Sequence, residues 1–509
     1  MTAFGNPISS SSGNKYQREQ DYVSPAGLSF ARHYNSSLPG WTHDFSARVL
    51  ENTLYATILR PDGRGIVHVG AGTGTWSASP YETGELTRLT QASSTDPLWQ
   101  YVTADDQVEL FDAAGRLLKI TARGGQSLVA ARNGSGLLTS ITNDFGRALT
   151  FQYQSGGRLG TVTTPEGTHI AYGYDGQGRL AQVTYPDSST RQYLYENIDY
   201  PLALTGLIDE RANRYSTWSY DALGRAITSV YVGGVDAHTL TFNIDGSTSI
   251  TDPLLTTRTQ QFADLGDMVT YVGQTQPCAN CSGEAASKVL NALGFPEEET
   301  DYLGVKTMYT WDITRKLSTG TTQAQGHPEA RSSTTTWHPS LRVPALVAEP
   351  GRTTAYTYDA LGNKLTEAVT DTVTGQSRTW TWTYTAQKLP ATLTDPKGGL
   401  WQYGYDSLGN RATVTNPLGQ VTTFTHDAAG RVLTQTDPNG LVTTNTYDLR
   451  GRLTSQVRGS ETTSFSYIPT GQIGTVTQPS GYRIVYSYDA AQRLTGAQDN
   501  HGAQIIYTL

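Results

Sequence analysis

A short pattern recurs through residues 353–509, beginning with Tyr358-Asp359-Ala360-Leu361-Gly362-Asn363-Lys364-Leu365. Each copy has an aromatic residue, usually followed by Asp, then a small turn, a basic residue and an aliphatic residue. Further copies read Tyr405-Asp406-Ser407-Leu408-Gly409-Asn410-Arg411, His426-Asp427-Ala428-Ala429-Gly430-Arg431-Val432 and Tyr447-Asp448-Leu449-Arg450-Gly451-Arg452-Leu453. From Tyr384 to Tyr488 the leading positions follow one another every 20 or 21 residues. A fixed period of this size predicts a repeat architecture, whose fold is a property of the repeating unit.

One repeat, residues 415–437, contains two predicted strands and two predicted turns. Residues 416–419 read Asn-Pro-Leu-Gly, a turn sequence in which Pro sets φ at the second position and Gly closes the turn. Alternating residues then predict a strand over 421–426, a turn over 427–430 and a second strand over 431–436. Each repeat is therefore predicted to be one β-hairpin.

The recurring side chains are predicted to build this hairpin and to join it to its neighbours. Aromatic residues two positions apart lie on one face of a strand, so a fixed period should align them in ladders. The Asp and Arg of each unit lie at opposite ends of the turn, and we interpret them as turn-closing because catalytic groups do not normally recur at equal spacing. The predicted structural positions are Tyr358, Asp359, Gly362, Tyr405, Asp406, Gly409, Asp427, Gly430, Arg431, Tyr447, Asp448, Gly451, Arg452, Tyr488 and Asp489.

The composition favours strands and turns throughout the 509 residues. Only 16% of residues are charged, while 30 Tyr and 52 Gly supply residues typical of strands and turns. The best helix candidate is the short segment 284–293. A long two-faced sheet must curl or cover its edges, because bare edges invite aggregation. We therefore predict an all-β spiral or shell of antiparallel hairpins, with a β-solenoid or a propeller as alternatives.

The charge pattern argues against nucleic acid as a partner, and the hydropathy pattern predicts neither a signal peptide nor a membrane span. The net charge is −8 and the basic residues of the repeats occur singly, whereas nucleic-acid binding needs clustered Lys and Arg. Residues 1–12 lack the basic start and apolar core of a signal peptide. No run of about 18 apolar residues predicts a membrane span.

The chain divides into five predicted regions. Residues 1–48 differ from the repeats and are interpreted as a terminal cap, which repeat arrays need. The other regions are a divergent β-strand region at 49–104, a first repeat array at 105–232, degenerate repeats or an insertion at 233–352, and a second array at 353–509 that ends within a repeat.

Candidate ligands for a metal are few. Cys278 and Cys281 form half of a zinc-site spacing, and a local disulfide or two free thiols are the alternatives. His33 and His43 of the cap are interpreted as structural. Catalytic motifs of the G-x-S-x-G, H-E-x-x-H and phosphate-loop types are absent from the sequence, so neither an enzyme nor a cofactor is predicted.

These motifs resemble the Rhs/YD-repeat family, which includes bacterial polymorphic toxins, the encapsulating component of insecticidal toxin complexes and the teneurin shell. The Tyr-Asp-x-x-Gly-Arg-Leu units and Asp-Pro-x-Gly turns carry the resemblance. The opening sequence, including Gly40-Trp41-Thr42-His43, resembles the domain that precedes the repeats in bacterial Rhs proteins. The resemblance implies a hollow β-cocoon that encloses a C-terminal toxin, which is absent from this chain.

The resemblance also implies a self-cleavage motif, Pro-x-x-x-x-Asp-Pro-x-Gly-Leu, at the end of the repeats. The nearest match begins at Asp437, but Val432 occupies the place of the first Pro and further repeats follow. We interpret Asp437 as part of an ordinary repeat turn.

Two functions are compatible with the sequence. The first is a shell segment of a toxin-delivery protein, with a C-terminal toxin or cargo polypeptide and secretion-machinery components as partners, exported by a specialised route. The second is a teneurin-like adhesion or carbohydrate-binding module, for which an exposed aromatic cluster outside the repeat register would be needed. Its candidates are Trp380, Trp382 and Trp401.

The first prediction concerns self-proteolysis. Because the cleavage motif is incomplete, the purified chain should remain a single band after prolonged incubation. Denaturing electrophoresis over several days tests this, with mass spectrometry to locate any cut. A specific fragment ending at residue 437 would contradict the interpretation of Asp437 as a turn residue.

Overall fold

The computed structural model describes residues 3–4, 7–38, 40–266, 268–277 and 285–509. The N-terminal region forms two small antiparallel sheets. One pairs β1 (Ala3–Phe4) with β2 (Ile8–Ser9). The other joins β3 (Tyr16–Val23), β4 (Ser29–Asn35) and β5 (Trp41–His43), and we call it the cap sheet.

The remaining strands form one long antiparallel sheet, which we call the wall. Its first part comprises β6 (Arg48–Glu51), β7 (Tyr55–Leu59), β8 (Gly65–Val69), β9 (Gly74–Ala78), β10 (Glu85–Arg88), β11 (Trp99–Val102), β12 (Val108–Phe111), β13 (Leu117–Thr121), β14 (Ser127–Arg132), β15 (Leu138–Asn143), β16 (Ala148–Tyr153), β17 (Leu159–Thr163), β18 (His169–Tyr174), β19 (Leu180–Thr184), β20 (Thr190–Leu194), β21 (Gly206–Ile208), β22 (Arg214–Tyr220) and β23 (Ala226–Tyr231). A 3-10 turn over Val232–Gly234 follows.

The second part continues without a change of architecture. It comprises β24 (Val235–Phe242), β25 (Thr248–Thr251), β26 (Thr257–Asp264), β27 (Val269–Gln274), β28 (Ser287–Leu290), β29 (Pro296–Thr300), β30 (Lys306–Asp312), β31 (Leu317–Gln323), β32 (Arg331–Trp337), β33 (Pro344–Glu349), β34 (Arg352–Tyr358), β35 (Lys364–Asp371), β36 (Ser377–Tyr384), β37 (Pro390–Thr394), β38 (Leu400–Tyr405), β39 (Arg411–Thr415), β40 (Val421–His426), β41 (Val432–Thr436), β42 (Val442–Tyr447), β43 (Leu453–Arg458), β44 (Glu461–Tyr467), β45 (Ile473–Thr477), β46 (Arg483–Tyr488), β47 (Leu494–Asp499) and β48 (Gln504–Ile506).

Wall strands pair with their neighbours in chain order, from β6 onward. The sheet also returns on itself where Arg48 of β6 bridges Arg116, next to β13. The predicted all-β spiral of antiparallel hairpins is confirmed. The helix candidate at 284–293 was wrong, because Ser287–Leu290 forms β28 and pairs with β29. A short segment has weak helix propensity, and hydrogen bonding to a neighbouring strand outweighs it. Within the described residues, no helix is long and apolar enough to cross a membrane.

Two windings of the wall lie against each other. We call residues 48–231 the first winding and residues 306–509 the second. Near one end, Lys316 Nζ donates to the carbonyl of Glu82, 234 residues earlier, at 2.5 Å. Near the other, Gln492 Nε2 donates to Asp209 Oδ2, 283 residues earlier, at 3.1 Å. Glu82 and Asp209 lie in turns after β9 and β21, while Lys316 and Gln492 lie in turns after β30 and β46. Turns after odd-numbered strands of the first winding therefore contact turns after even-numbered strands of the second.

The central contact between the windings is made by Arg147, whose residue is only 5% exposed. Its Nε donates to the Ala428 carbonyl at 2.8 Å and its Nη1 to the Leu408 carbonyl at 2.5 Å. Its Nη2 donates to Asn410 Oδ1 at 2.6 Å. One guanidinium therefore satisfies three acceptors of two successive repeats in the second winding.

The apolar core lies where the cap sheet covers the first winding. Phe30 contacts the ring of Phe151 at 5.5 Å, and Trp41 contacts the ring of Tyr193 at 4.7 Å. The cap therefore lies on the aromatic face of the wall, the face that carries the motif aromatics. In the second winding that face is half-buried, as the alternating exposure along β40 shows.

The second prediction concerns the contact between the windings. Arg147→Ala should destabilise the protein by about 3 kcal/mol, because it removes three charge-assisted hydrogen bonds between the windings, two of them to part-buried carbonyls. Urea unfolding followed by intrinsic fluorescence measures the loss. The control Arg378→Ala changes an exposed strand residue and should stay within about 0.5 kcal/mol of the parent. Equal stability of the two variants would contradict the assigned role of Arg147.

Candidate functional site

The motif turn is closed by its own Asp and Arg. In the copy at residues 426–432, Asp427 Oδ1 accepts the backbone N–H groups of Ala429 and Arg431, both at 2.9 Å. Arg431 Nε donates to Asp427 Oδ2 at 2.6 Å. Gly430 has a φ of +86°, which a residue with a side chain adopts only at a cost. The carboxylate thus holds both the turn backbone and the Arg side chain.

The same arrangement recurs in both windings. Ion pairs of this type join Asp112 to Arg116, Asp175 to Arg179, Asp221 to Arg225, Asp448 to Arg452 and Asp489 to Arg493. Where Asn replaces Arg, its amide donates to the carboxylate, as Asn363 does to Asp359 and Asn410 to Asp406. Burial alone would raise the pKa of Asp489, but hydrogen bonds from Arg493 lower it below its ordinary value.

The motif Tyr lies at a β-bulge and reaches back to the preceding repeat. Tyr447 pairs with Leu453 after a register shift, and its hydroxyl donates to the carbonyl of Val432 at 2.8 Å. Val432 is itself the residue that pairs with the preceding motif position, His426. The hydroxyls of Tyr358, Tyr405, Tyr467 and Tyr488 make the equivalent bond, to the carbonyls of Pro344, Pro390, Leu453 and Ile473.

The motif Arg completes the link in the forward direction. The guanidinium of Arg431 lies 5.1 Å from the ring centroid of Tyr447, and that of Arg452 lies 4.9 Å from Tyr467. Each Arg thus binds its own Asp and covers the aromatic ring of the next repeat. Within residues 353–509, the motif aromatics of successive repeats are not in ring contact. The motif rings of successive repeats therefore do not pair as the predicted aromatic ladder; hydroxyl and guanidinium contacts join the repeats instead.

The two faces of the second winding differ chemically. Thr425 and Thr434 on neighbouring strands share a hydroxyl hydrogen bond of 2.7 Å, as do Thr357 and Thr366. We call this the hydroxyl face, opposite the aromatic face. Thr422 on the aromatic face of β40 is half-buried, while Thr423 on the hydroxyl face is exposed.

The motif glycines lie where the windings meet. A Cβ on Gly409 would lie 2.7 Å from the ring of Phe145 in the first winding, and the φ of Gly409 is +76°. A Cβ on Gly362 would meet the side chain of Arg123 at the same distance. Close approach of the two windings therefore requires glycine at these positions. Gly430 and Gly451 also have positive φ.

Partly buried ion pairs join the cap to the first winding and the first winding to the second. Arg191 of the first winding donates to Glu19 of the cap sheet at 2.5 Å and to Glu210 at 3.1 Å. Arg450 of the second winding lies 3.7 Å from Glu210. Burial would raise the pKa of Glu19, but the charges of Arg191 and Arg32 lower it. Sequence reasoning missed this network, because its members are far apart in the chain.

The two cap histidines are packed into this structure. His33 Nε2 lies 2.8 Å from Asp44 Oδ1, and its Nδ1 lies 2.7 Å from the Tyr16 hydroxyl. Burial lowers the pKa of His43 to about 4, and its ring stacks on Phe151 at 6.1 Å. Among the described residues, no group of three or more His, Cys, Asp or Glu could hold a metal. Cys278 and Cys281 lie outside the described residues.

The remaining candidates fall within the repeat register. Asp437 Oδ1 accepts the backbone N–H groups of Asn439 and Leu441, both at 2.9 Å, as expected of a repeat turn. Trp382 and Trp401 lie on neighbouring strands and both pair with Leu393. Trp380 pairs with Glu367. The three tryptophans are half-buried strand residues.

Hairpins joined through the same contacts from repeat to repeat define the molecule as a β-repeat wall protein. Family models agree: the RHS repeat matches residues 385–421, 405–442 and 426–464. The teneurin YD-shell matches residues 133–231, and a domain of unknown function, DUF6531, matches residues 5–67. Residues 385–464 thus carry RHS repeats, and residues 133–231 are similar to the teneurin YD-shell.

One solved structure shares this fold with a TM-score above 0.5, and two others are similar to the chain at lower TM-scores. The crystal structure of TcdB2-TccC3-Cdc42 is 16% identical with a TM-score of 0.52, and the match covers 81% of this chain and 24% of that one. TcdB2-TccC3 is 15% identical with a TM-score of 0.49, covering 93% and 29% of the two chains. A Photorhabdus luminescens Tc holotoxin pore is 16% identical with a TM-score of 0.49, covering 82% and 26%. The chain thus spans about a quarter of the length of these proteins. No curated protein matches the sequence significantly.

The third prediction concerns His426, the one leading motif position within residues 353–509 that has no hydroxyl. Its Nδ1 is buried without a hydrogen-bond partner, and burial lowers the pKa of the ring. His426→Tyr should place a hydroxyl near the carbonyl of Arg411, the residue that pairs with Tyr405. We expect it to be more stable than His426→Phe by about 1 kcal/mol, the contribution of one hydrogen bond.

Thermal unfolding of the two variants measures this difference. His426→Phe is the matched control because it supplies the ring without the hydroxyl. Equal melting temperatures for the two variants would show that the hydroxyl bond does not stabilise the wall.

Proposed function

We propose that the chain is a wall segment of a shell that keeps a cargo polypeptide apart from the surroundings. The observation that carries this proposal is the sealed contact between the windings, where turn backbones of the second meet side chains such as Arg147 of the first. Such a joint leaves no open seam at that point. The protein then functions by excluding outside molecules from the cargo. The motif residues act as structural groups of the shell, without catalysis.

We assign a role to each of the five predicted regions. Residues 1–48 act as the cap that closes one end, since they cover the aromatic face of the first winding. Residues 49–104, the arrays at 105–232 and 353–509, and the divergent region at 233–352 act as wall. The aromatic face lines the enclosed space, because the cap lies on that face and its side chains are the less exposed ones in β40.

The partner is a C-terminal toxin or cargo polypeptide, and the protein is exported by a specialised secretion route. The shell-type family and the Tc toxin structures that share the fold support this proposal. The adhesion alternative is less well supported, because Trp380, Trp382 and Trp401 lie within the repeat register.

The fourth prediction tests which face is enclosed. Thr422→Cys and Thr423→Cys place the same residue on opposite faces of β40, in a background with Cys278 and Cys281 changed to Ser. A small maleimide should label both variants. A maleimide carrying a 5 kDa polymer should label the Thr422→Cys variant about tenfold more slowly than the Thr423→Cys variant, because the enclosed face excludes bulky reagents.

Gel shifts over time give the two labelling rates. Labelling of the unfolded variants in urea is the control for intrinsic thiol reactivity and should be equal. If the large reagent labels both folded variants at the same rate, the aromatic face is open and the proposal of enclosure fails.

A further inference from the structure

A cavity of about 420 Å³ lies between the cap sheet and the first winding. This volume is in the range of sites that bind small ligands or single peptide side chains. Its walls include five Trp and Tyr residues, Trp41 of the cap sheet and Tyr153, Tyr172, Tyr174 and Tyr195 of the wall. The cavity therefore opens on the aromatic face, beside the cap.

The charge of this cavity is opposite to that of the chain. Arg32, Arg158 and Arg179 line it, and none of its lining residues is Asp or Glu. The chain as a whole has a net charge of −8. A concave site lined by one sign of charge concentrates ligands of the other sign. Asp21 and Asp175 neutralise Arg32 and Arg179, so the charge of Arg158 is the one that favours anions in this cavity.

Two of the three guanidinium groups, those of Arg32 and Arg158, have N–H donors without a hydrogen-bond partner among the described residues, whereas Arg179 is engaged. Arg179 is engaged by Asp175 at 2.6 Å and by the carbonyl of Pro201 at 2.6 Å. Arg158 is exposed and lies over the ring of Tyr174 at 5.6 Å, without an ion-pair or hydrogen-bond partner among the described residues.

Arg32 supplies the second observation. Its side chain is only 3% exposed and binds Asp21 through Nε at 2.6 Å and Nη2 at 2.9 Å. Nη2 also donates to the Tyr193 hydroxyl at 2.7 Å. Its Nη1 is buried but has no hydrogen-bond partner. The guanidinium also lies 4.7 Å from the ring centroid of Trp41, so Arg32 fixes the position of that ring in the cavity wall.

We propose that this cavity binds an acidic side chain of the enclosed polypeptide, flanked by aromatic or apolar residues. The carboxylate accepts hydrogen bonds from Arg158, and the rings of Tyr174 and of Trp41, which Arg32 holds in place, pack on its neighbours. The assignment to a polypeptide rests on the proposed function, because that function makes the aromatic face the one that meets the cargo. The cavity then acts as an anchor for the cargo next to the cap.

Binding of short peptides to the full chain tests the anchor. The probe is fluorescein-labelled Phe-Glu-Phe-Glu amide, and the control peptide is Phe-Lys-Phe-Lys amide with the same label. Fluorescence anisotropy should show saturable binding of the acidic peptide only. Arg158→Gln should weaken it at least tenfold, while Arg378→Gln, far from the cavity in sequence and exposed, should leave it unchanged.

Three results would overturn the proposal. The first is equal binding of the basic peptide, and the second is an unchanged affinity for the Arg158→Gln variant. The third is that free glutarate displaces the labelled peptide at the same concentration as unlabelled peptide does. The last result would make the site one for small organic acids. The peptide assay needs no closed shell, while the maleimide assay reports only on closure. Loss of peptide binding with protection of the Thr422→Cys variant retained therefore rejects the anchor alone.

Discussion

The hydrogen bond from each motif Tyr to the carbonyl of the preceding bulge is the constraint on which the wall depends. A β-bulge interrupts the ladder of backbone hydrogen bonds and leaves a carbonyl to be satisfied from elsewhere. Tyr447 satisfies the carbonyl of Val432, and Tyr467 satisfies that of Leu453. Each repeat therefore completes the one before it. The bond also survives a longer connection between repeats, since Tyr384, 26 residues after Tyr358, still donates to the carbonyl of Lys364, the residue that pairs with Tyr358.

The Asp and Arg of the motif act on the same joint. Asp448 fixes the turn backbone and orients Arg452, whose guanidinium then covers the ring of Tyr467. A turn, an ion pair and an aromatic contact are in this way linked in series along the chain. Sequence alone identified the turn-closing role of these residues, since an Asp and a basic residue at the ends of a Gly-containing turn indicate local hydrogen bonds.

The sequence predicted the repeat, the strands and the turns, because these depend on residues within one period. It did not predict the contacts of Arg147 with Leu408 and Ala428, which depend on how far the sheet twists over a full winding. Nor did it predict the network of Glu19 with Arg191, whose members meet only after the cap folds back. The helix expected at 284–293 failed for a similar reason: pairing with β29 decides that segment.

The two windings differ in circumference. Between the turn after β9 and the turn after β21, the first winding has twelve strands, while the second has sixteen between the matching turns after β30 and β46. The wall therefore flares away from the cap, as a cone does. In a cone the volume bounded by each added hairpin increases with distance from the apex. Repeats added at the wide end contribute more capacity per residue than repeats near the cap.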